Sequence, residues 1–185
     1  MNRKQLLKTI GGGTLAMTLA PNLLLAENLN IFDVKAEYKL TILHTNDQHS
    51  RIEPFEASYP RNPNQGGFAR RAALIEKIRK ENSNILLLDS GDTFQGTPYF
   101  NFFGGELEFK LMSMMGYDAS TMGNHDFDNG LEGFKKVQAN AKFPFICSNY
   151  DFKNTILDGQ TIPYKIFNKD GIKVGIFGVG IELAG

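Results

Sequence analysis

The sequence predicts an α/β fold with a largely parallel sheet, and three observations carry that prediction. Short apolar runs rich in branched residues alternate along the chain with segments of helical period. Three of these runs end in loops that carry His, Asp or Asn. In open α/β sheets ligands bind outside the carboxyl ends of the strands, so the polar loops sit where a site is expected.

From about residue 38 the elements follow in order. Leu40-Thr41-Ile42-Leu43-His44 has the composition of a buried strand. Residues 51–66, rich in Pro, Asn and Gly, form a long loop. After the Gly66-Gly67 break, Phe68 to Lys80 reads as a helix with Leu74, Ile75 and Ile78 on one face. Ile85-Leu86-Leu87-Leu88-Asp89 is a second buried strand. Glu106 to Met115 is a helix closed by Gly116, and Ala119 to Met122 a third short strand. Leu131 to Ala139 is a third helix and Phe145-Ile146-Cys147 a fourth strand. Tyr164 to Phe167 and Ile172 to Phe177 flank Asn168-Lys169-Asp170-Gly171, a hairpin signal, because Asp-Gly supplies the positive φ angles of a tight turn. Gly178-Val179-Gly180 reads as a strand exit: it lacks the third glycine and the helix of a dinucleotide loop. Because the sequence stops directly after that exit, the chain reads as part of a longer protein.

The chain has 185 residues with 20 basic and 20 acidic side chains, an ordinary composition for about one domain. Balanced charge gives no global field to draw it to nucleic acid or to an acidic membrane. Arg70, Arg71, Lys77, Arg79 and Lys80 fall within the first helix and read as a solvated face. Cys147 is the sole cysteine, which excludes an internal disulfide and a thiolate metal site. Residues 1–26 have the make-up of an export signal, with a charged start and an apolar stretch ending in Leu23-Leu24-Leu25-Ala26. The Arg3-Lys4-Gln5-Leu6-Leu7-Lys8 run resembles a twin-arginine signal, with Lys in place of the second Arg. Gly11 to Gly13 and Pro21 interrupt the apolar part too early for a membrane span. Export to the periplasm or beyond is expected, without a stable membrane anchor, and residues 27–37 form a linker.

Three loops carry the candidate chemistry. The first holds Asn46-Asp47-Gln48-His49; on an extended segment, alternate residues point the same way, so Asp47 and His49 reach one ion together. The second is Asp89-Ser90-Gly91-Asp92-Thr93, with Gly91 turning the backbone and Asp92 offered at the strand mouth. The third, Gly123-Asn124-His125-Asp126, offers a neutral amide oxygen from Asn124, with His125 and Asp126 as candidates for proton chemistry. Carboxylate, imidazole and amide oxygen suit divalent Mn, Zn, Fe or Mg. An Asp-x-His pair alone is common and is usually a turn. Gly-Asn-His-Asp is rarer, arising by chance in about one chain per thousand of this size. In order, each after a strand, the three loops specify a site. Phe100, Phe102 and Phe103 could stack a base, but core or interface packing explains them more simply.

Thr41 through Asn46-Asp47-Gln48-His49-Ser50-Arg51-Ile52 resembles the first signature of the 5'-nucleotidase family of calcineurin-like metallophosphoesterases. Tyr117 through Gly123-Asn124-His125-Asp126-Phe127-Asp128 resembles the second, with Asp126 where Glu is more frequent. Leu88 to Thr97 matches the motif between them, and the similarity runs from residue 38 to the end. The resemblance implies an αββα sandwich of which residues 38–185 supply the first half. It implies two divalent metal ions: Asp47 and His49 on the first, Asp92 bridging, and Asn124 on the second. It also implies that His125, paired with Asp126, contacts the phosphoryl group and helps the leaving oxygen depart.

The substrate implied is a small phosphoester, a nucleotide above all, with cyclic nucleotides, nucleotide sugars and sulfur esters left open. The family's further Gly-His and Gly-His-x-His loops are absent from a chain whose three histidines are His44, His49 and His125. A metal-binding or interaction fragment without catalysis is the alternative expectation. The sequence says nothing of oligomeric state.

Overall fold

A computed structural model describes residues 38–182, so the expected export signal and linker lie outside the described residues. Three parallel strands form the central sheet, in the order β1 (Thr41–Thr45), β2 (Ile85–Asp89), β3 (Ala119–Ser120). Register runs from Thr41 opposite Ile85 to Thr45 opposite Asp89, so the two strands end level and deliver their following loops side by side. β2 is the middle strand, and its unbroken apolar run is buried on both faces, as central parallel strands are.

Three helices build the main core: α1 (Phe68–Glu81), α3 (Glu106–Met115) and α4 (Gly130–Gln138). A short α2 (Pro98–Phe103) precedes α3. Their inward residues, among them Ile75, Phe109, Met112 and Phe134, join Leu87, Phe143 and Phe145 in one cluster. Phe109 is fully buried within 4.7–6.1 Å, ring to ring, of Phe94, Phe134, Phe143 and Phe145. Truncating such a residue removes about 3–5 kcal/mol. The apolar face expected for α1 is shifted: Ile75 is buried, while Leu74, about 100° around the helix, is 56% exposed.

Three of the five basic residues read as a solvated face have partners: Lys80 pairs with Glu76 one turn back at 2.7 Å, and two others reach beyond their own helix turn. Arg79 donates to the carbonyls of Met115 and Gly116 at the C-terminal end of α3, where acceptors lack helical partners. Arg71 lies over the Phe68 ring and donates to the Gln48 side chain.

β3 is shorter than expected, two residues rather than four, because the backbone after Ser120 leaves the ladder for the third loop. Phe145-Ile146-Cys147 forms only isolated parallel bridges, Ser120 to Phe145 and Ile146 to Ile162. The hairpin is as expected, with β4 (Tyr164–Lys169) and β5 (Ile172–Phe177) antiparallel around Asp170 and Gly171, both at positive φ. Gly178 packs against the Ile146 carbonyl and Thr121, and Gly180 against Tyr150, so this pair serves close packing. Phe100 is in the core, Phe102 is exposed and Phe103 half-exposed. Among the described residues no helix is long and apolar enough to cross a membrane.

One core residue contradicts simple patterning. Glu108 on α3 is fully buried and neither carboxylate oxygen has a hydrogen-bond partner. Burial pushes its carboxyl above the ordinary 4.5, opposed by the nearby Ser50 hydroxyl. A raised folded-state pKa means the stabilising contribution is complete below 4.5 and is lost as pH rises through the folded value. Glu108→Gln is therefore expected to match the wild type in acid. It should gain about 1–3 kcal/mol over it as pH rises toward neutrality, read by urea unfolding across pH. A stability gap that does not change with pH would refute this.

Candidate metal centre

The site starts from the parallel ladder. Beyond Thr45 and Asp89 the first two loops stay zipped together: Ser90 N–H donates to the Thr45 carbonyl, Asp47 to Gly91, His49 to Asp92 and Ser50 to Thr93, at 2.8–3.1 Å. Strand-like pairing thus continues while the conformation changes. Asp47, His49, Ser50, Asp92 and Gln95 all take left-handed backbone, with φ between 48° and 68°. Each costs about 1–2 kcal/mol relative to ordinary conformations, and such residues persist where surrounding bonds over-determine them. Asp47 and His49 therefore do not lie on an extended segment as the sequence suggested. They converge through a left-handed turn that the second loop enforces.

Two glycines let the second and third loops interleave. A Cβ on Gly91 would lie 2.4 Å from the Gly123 nitrogen, and one on Gly123 would lie 2.1 Å from Asp92 Oδ1. The backbone N–H of His125 donates to that same Asp92 oxygen at 3.0 Å. Asn124 is thus flanked by two residues whose backbones touch the Asp92 carboxylate, and its own side chain makes no hydrogen bond among the described residues.

Ligand atoms of Asp47, His49 and Asp92 lie within 4.8 Å of one another. Two donors bound at about 2.0–2.2 Å to one ion stand up to roughly 4 Å apart, so little adjustment would bring these three onto a common cation. The His49 ring supports that use: Nδ1 faces the Phe94 carbonyl at 3.2 Å, leaving Nε2 turned to Asp47, 3.6 Å away. An imidazole oriented by a backbone carbonyl through one nitrogen is a common arrangement for a metal-ligating histidine. The His125 ring packs edge-on against His49, with centroids 5.4 Å apart. His44, on β1, is exposed and outside this cluster.

Asp126 does not pair with His125. Its carboxylate is buried and accepts the backbone N–H groups of Gly123, Asp92, Thr93 and Phe94 at 2.9–3.2 Å. Burial pushes this carboxyl up to about 7, against the pull of those amides. The partner of His125 is Asp128, whose Oδ2 lies 3.1 Å from His125 Nδ1. That hydrogen bond raises the imidazole above its ordinary value, with burial opposing. The physical reason is the single 3₁₀ turn His125–Phe127: one residue after His125 faces the core, while three residues after returns to the same side.

Asp89 is the other residue whose part the pattern did not reveal. It is buried and receives Thr45, Gln48, Gly91, Thr93 and Ser120 at 2.5–3.3 Å, joining the first two loops and β3. Its position as a carboxylate ending an apolar strand was the available signal.

A parallel sheet with carboxylate and imidazole side chains gathered at its strand ends defines an α/β domain with a candidate metal group where ligands of such sheets bind. The chain belongs to the calcineurin-like phosphoesterase family, whose model matches residues 40–177. Members of that family use divalent metals, and the fold is the corresponding metallophosphoesterase fold. Over 148 residues the chain is 45% identical to the snake venom 5'-nucleotidase of Gloydius brevicauda, covering 76% of this chain and 25% of that protein. Among solved structures it is similar to a 5'-nucleotidase precursor from Thermus thermophilus, with 36% identity and a TM-score of 0.72 over 77% of this chain and 29% of the other. It is also similar to the NAD nucleotidase of Haemophilus influenzae, with 38% identity and a TM-score of 0.69 over 76% and 26%. The chain spans about a quarter to a third of the length of the relatives it matches.

The two aspartates of the third loop separate cleanly by stability. Asp126→Asn sets an amide NH₂ against two of the four backbone N–H donors in either orientation, since each carboxylate oxygen accepts two, and is expected to lower unfolding free energy by about 2–3 kcal/mol. Asp128→Asn, at the surface, should change it by less than about 0.5 kcal/mol. Chemical denaturation of both variants decides the matter, and equal effects would contradict this division.

Proposed function

We propose that residues 38–185 are the first part of a metallophosphoesterase domain, and that the whole protein hydrolyses phosphoesters of nucleotides. The convergence of Asp47, His49 and Asp92, with His125 beside them, carries this reading. The 5'-nucleotidase and NAD nucleotidase relatives support a nucleotide as the substrate class. In this reading Asp47 and His49 would hold one divalent ion, Asn124 would offer its amide oxygen to a second, and Asp92 would serve both. Ions bound there supply Lewis acidity and neutralise charge at the phosphoryl oxygens, with Mn, Zn, Fe and Mg all compatible with the donors.

The protein's own groups do the rest. His125 is held at Nδ1 by Asp128, which leaves Nε2 free to carry a proton toward the leaving oxygen. Its raised pKa favours the imidazolium needed for that donation. Asp126 acts one step back, holding the loops that present Asp92 and His125.

Export is the remaining part of the proposal. It is supported by the composition of residues 1–26 and by relatives described as a venom protein and as a precursor.

Metal content and rate separate these roles. Asp92→Ala is expected to lose bound metal and activity together, since one carboxylate serves both ions. His125→Ala should keep near-normal metal content while its rate on a nucleoside monophosphate falls by about 10²–10⁴. The loss should be smaller on an aryl phosphate, whose leaving group needs less help. Elemental mass spectrometry beside kinetics measures both, and metal loss in His125→Ala equal to that in Asp92→Ala would make His125 a ligand instead. Fractionation of cells making the protein should place it outside the cytoplasm with residues up to about Ala26 removed. An intact N-terminus in the cytosol is the contrary result.

A further inference from the structure

The second loop has a member that neither binds the metal group nor enters the core. Gln95 follows Phe94, whose carbonyl orients His49, and precedes Gly96, where a Cβ would sit 2.9 Å from both the Cβ and the carbonyl oxygen of His49. Thr97 donates to the Ser50 carbonyl at 2.6 Å. These neighbours each touch the first loop, and Phe94 also reaches the third through its backbone N–H to Asp126; Gln95 alone of them crosses to the third loop by its side chain, whose Nε2 donates to Asp128 Oδ2 at 3.1 Å. The Oε1 end accepts the Gly96 N–H at 2.8 Å, which leaves only the NH₂ end to face the carboxylate. Gln95 holds left-handed backbone, φ 68°, to do this, a conformation glutamine seldom adopts.

Asp128 Oδ2 is the same oxygen that faces His125 Nδ1, also at 3.1 Å. One carboxylate oxygen thus takes two donors, from two different loops. Asp128 is a short side chain at the surface, free to rotate unless held, and the two directions together fix its plane. We propose that Gln95 is a positioning residue for the phosphoester hydrolysis assigned above: through Asp128 it sets the orientation of the His125 ring, and with it the aim of Nε2. This inference rests on that functional reading. Because Gln95 is neutral, it fixes Asp128 without competing with the charge that His125 uses.

The test uses the full chain with Gln95→Ala, Gln95→Glu, Asp128→Ala and the Gln95→Ala/Asp128→Ala double variant. Gln95→Ala should lower kcat on a nucleoside monophosphate about tenfold, with KM within about twofold and metal content unchanged. Its effect should shrink on an aryl phosphate. Gln95→Glu, which sets a second carboxylate against Asp128, should lose more, about 100-fold. In the Asp128→Ala background Gln95→Ala should cost nothing further, because its route to His125 is already cut. Multiplicative losses in the double variant, or a loss of metal, would overturn the proposal and leave Gln95 a loop-stabilising residue. Nitrogen-15 NMR of the His125 ring in Mg²⁺ gives a readout independent of turnover. The Nδ1 signal should move in Gln95→Ala, and an unmoved signal overturns the inference. A wild-type chain without any phosphoesterase activity would refute the functional reading instead, with the ring signal still reporting on the Gln95–Asp128–His125 chain.

Discussion

Four backbone N–H groups, from Gly123, Asp92, Thr93 and Phe94, converge on the carboxylate of Asp126, and the arrangement of the site depends on that convergence. They come from two loops that share no helix or strand. Backbone donors in a buried loop must find acceptors, and an anion in the interior must find donors. Asp126 meets both needs at once. Without it the left-handed backbone at Asp92 would lose the bond to its own N–H and those to the next two residues, keeping only its contacts with His49 and His125 to present it beside Asp47.

Asp89 plays the corresponding part on the other side of the second loop. It ends β2 and accepts from Thr45 at the end of β1, Gln48 of the first loop, Gly91 and Thr93 of the second, and Ser120 of β3. Two buried carboxylates thus bracket the exposed Asp47 and the half-buried Asp92. Burial raises the pKa of both Asp89 and Asp126, while hydrogen bonds to each favour the charged form. The strain of five left-handed residues is sustained by this network and by the ladder that continues from β1 and β2. Rigid strands below and over-determined loops above hold Asp47, His49 and Asp92 together without a contribution from loop flexibility.

Much of the fold was legible because its signals are local. The apolar run Ile85–Asp89, the helix Glu106–Met115 and the Asp170-Gly171 hairpin each follow from residues adjacent in sequence. Legibility failed where a partner decided the outcome. Leu74 and Ile75 look alike in a periodic pattern, and only the packing of α1 against the common core chose Ile75 for the interior. The strand expected at Phe145–Cys147 reduces to bridges because it has only brief neighbours to pair with. Glu108 follows Glu106 in the same helix, and nothing in its residue type marks it for the interior, yet the packing of α3 buries it.

The same division runs through the site. By itself the sequence placed the candidate donors Asp47, His49, Asp92, Asn124 and His125 in three loops at strand ends, since residue types there are read from composition and order, and the structure gathers Asp47, His49 and Asp92. Tertiary structure alone decided which carboxylate serves which partner. Asp126 and Asp128 stand two residues apart and have the same chemistry. A single 3₁₀ turn sends one into the interior to collect backbone amides and leaves the other beside the imidazole. The physical reason is that side-chain direction depends on the local turn and on the loop packed against it. Neither is encoded in the spacing of the residues.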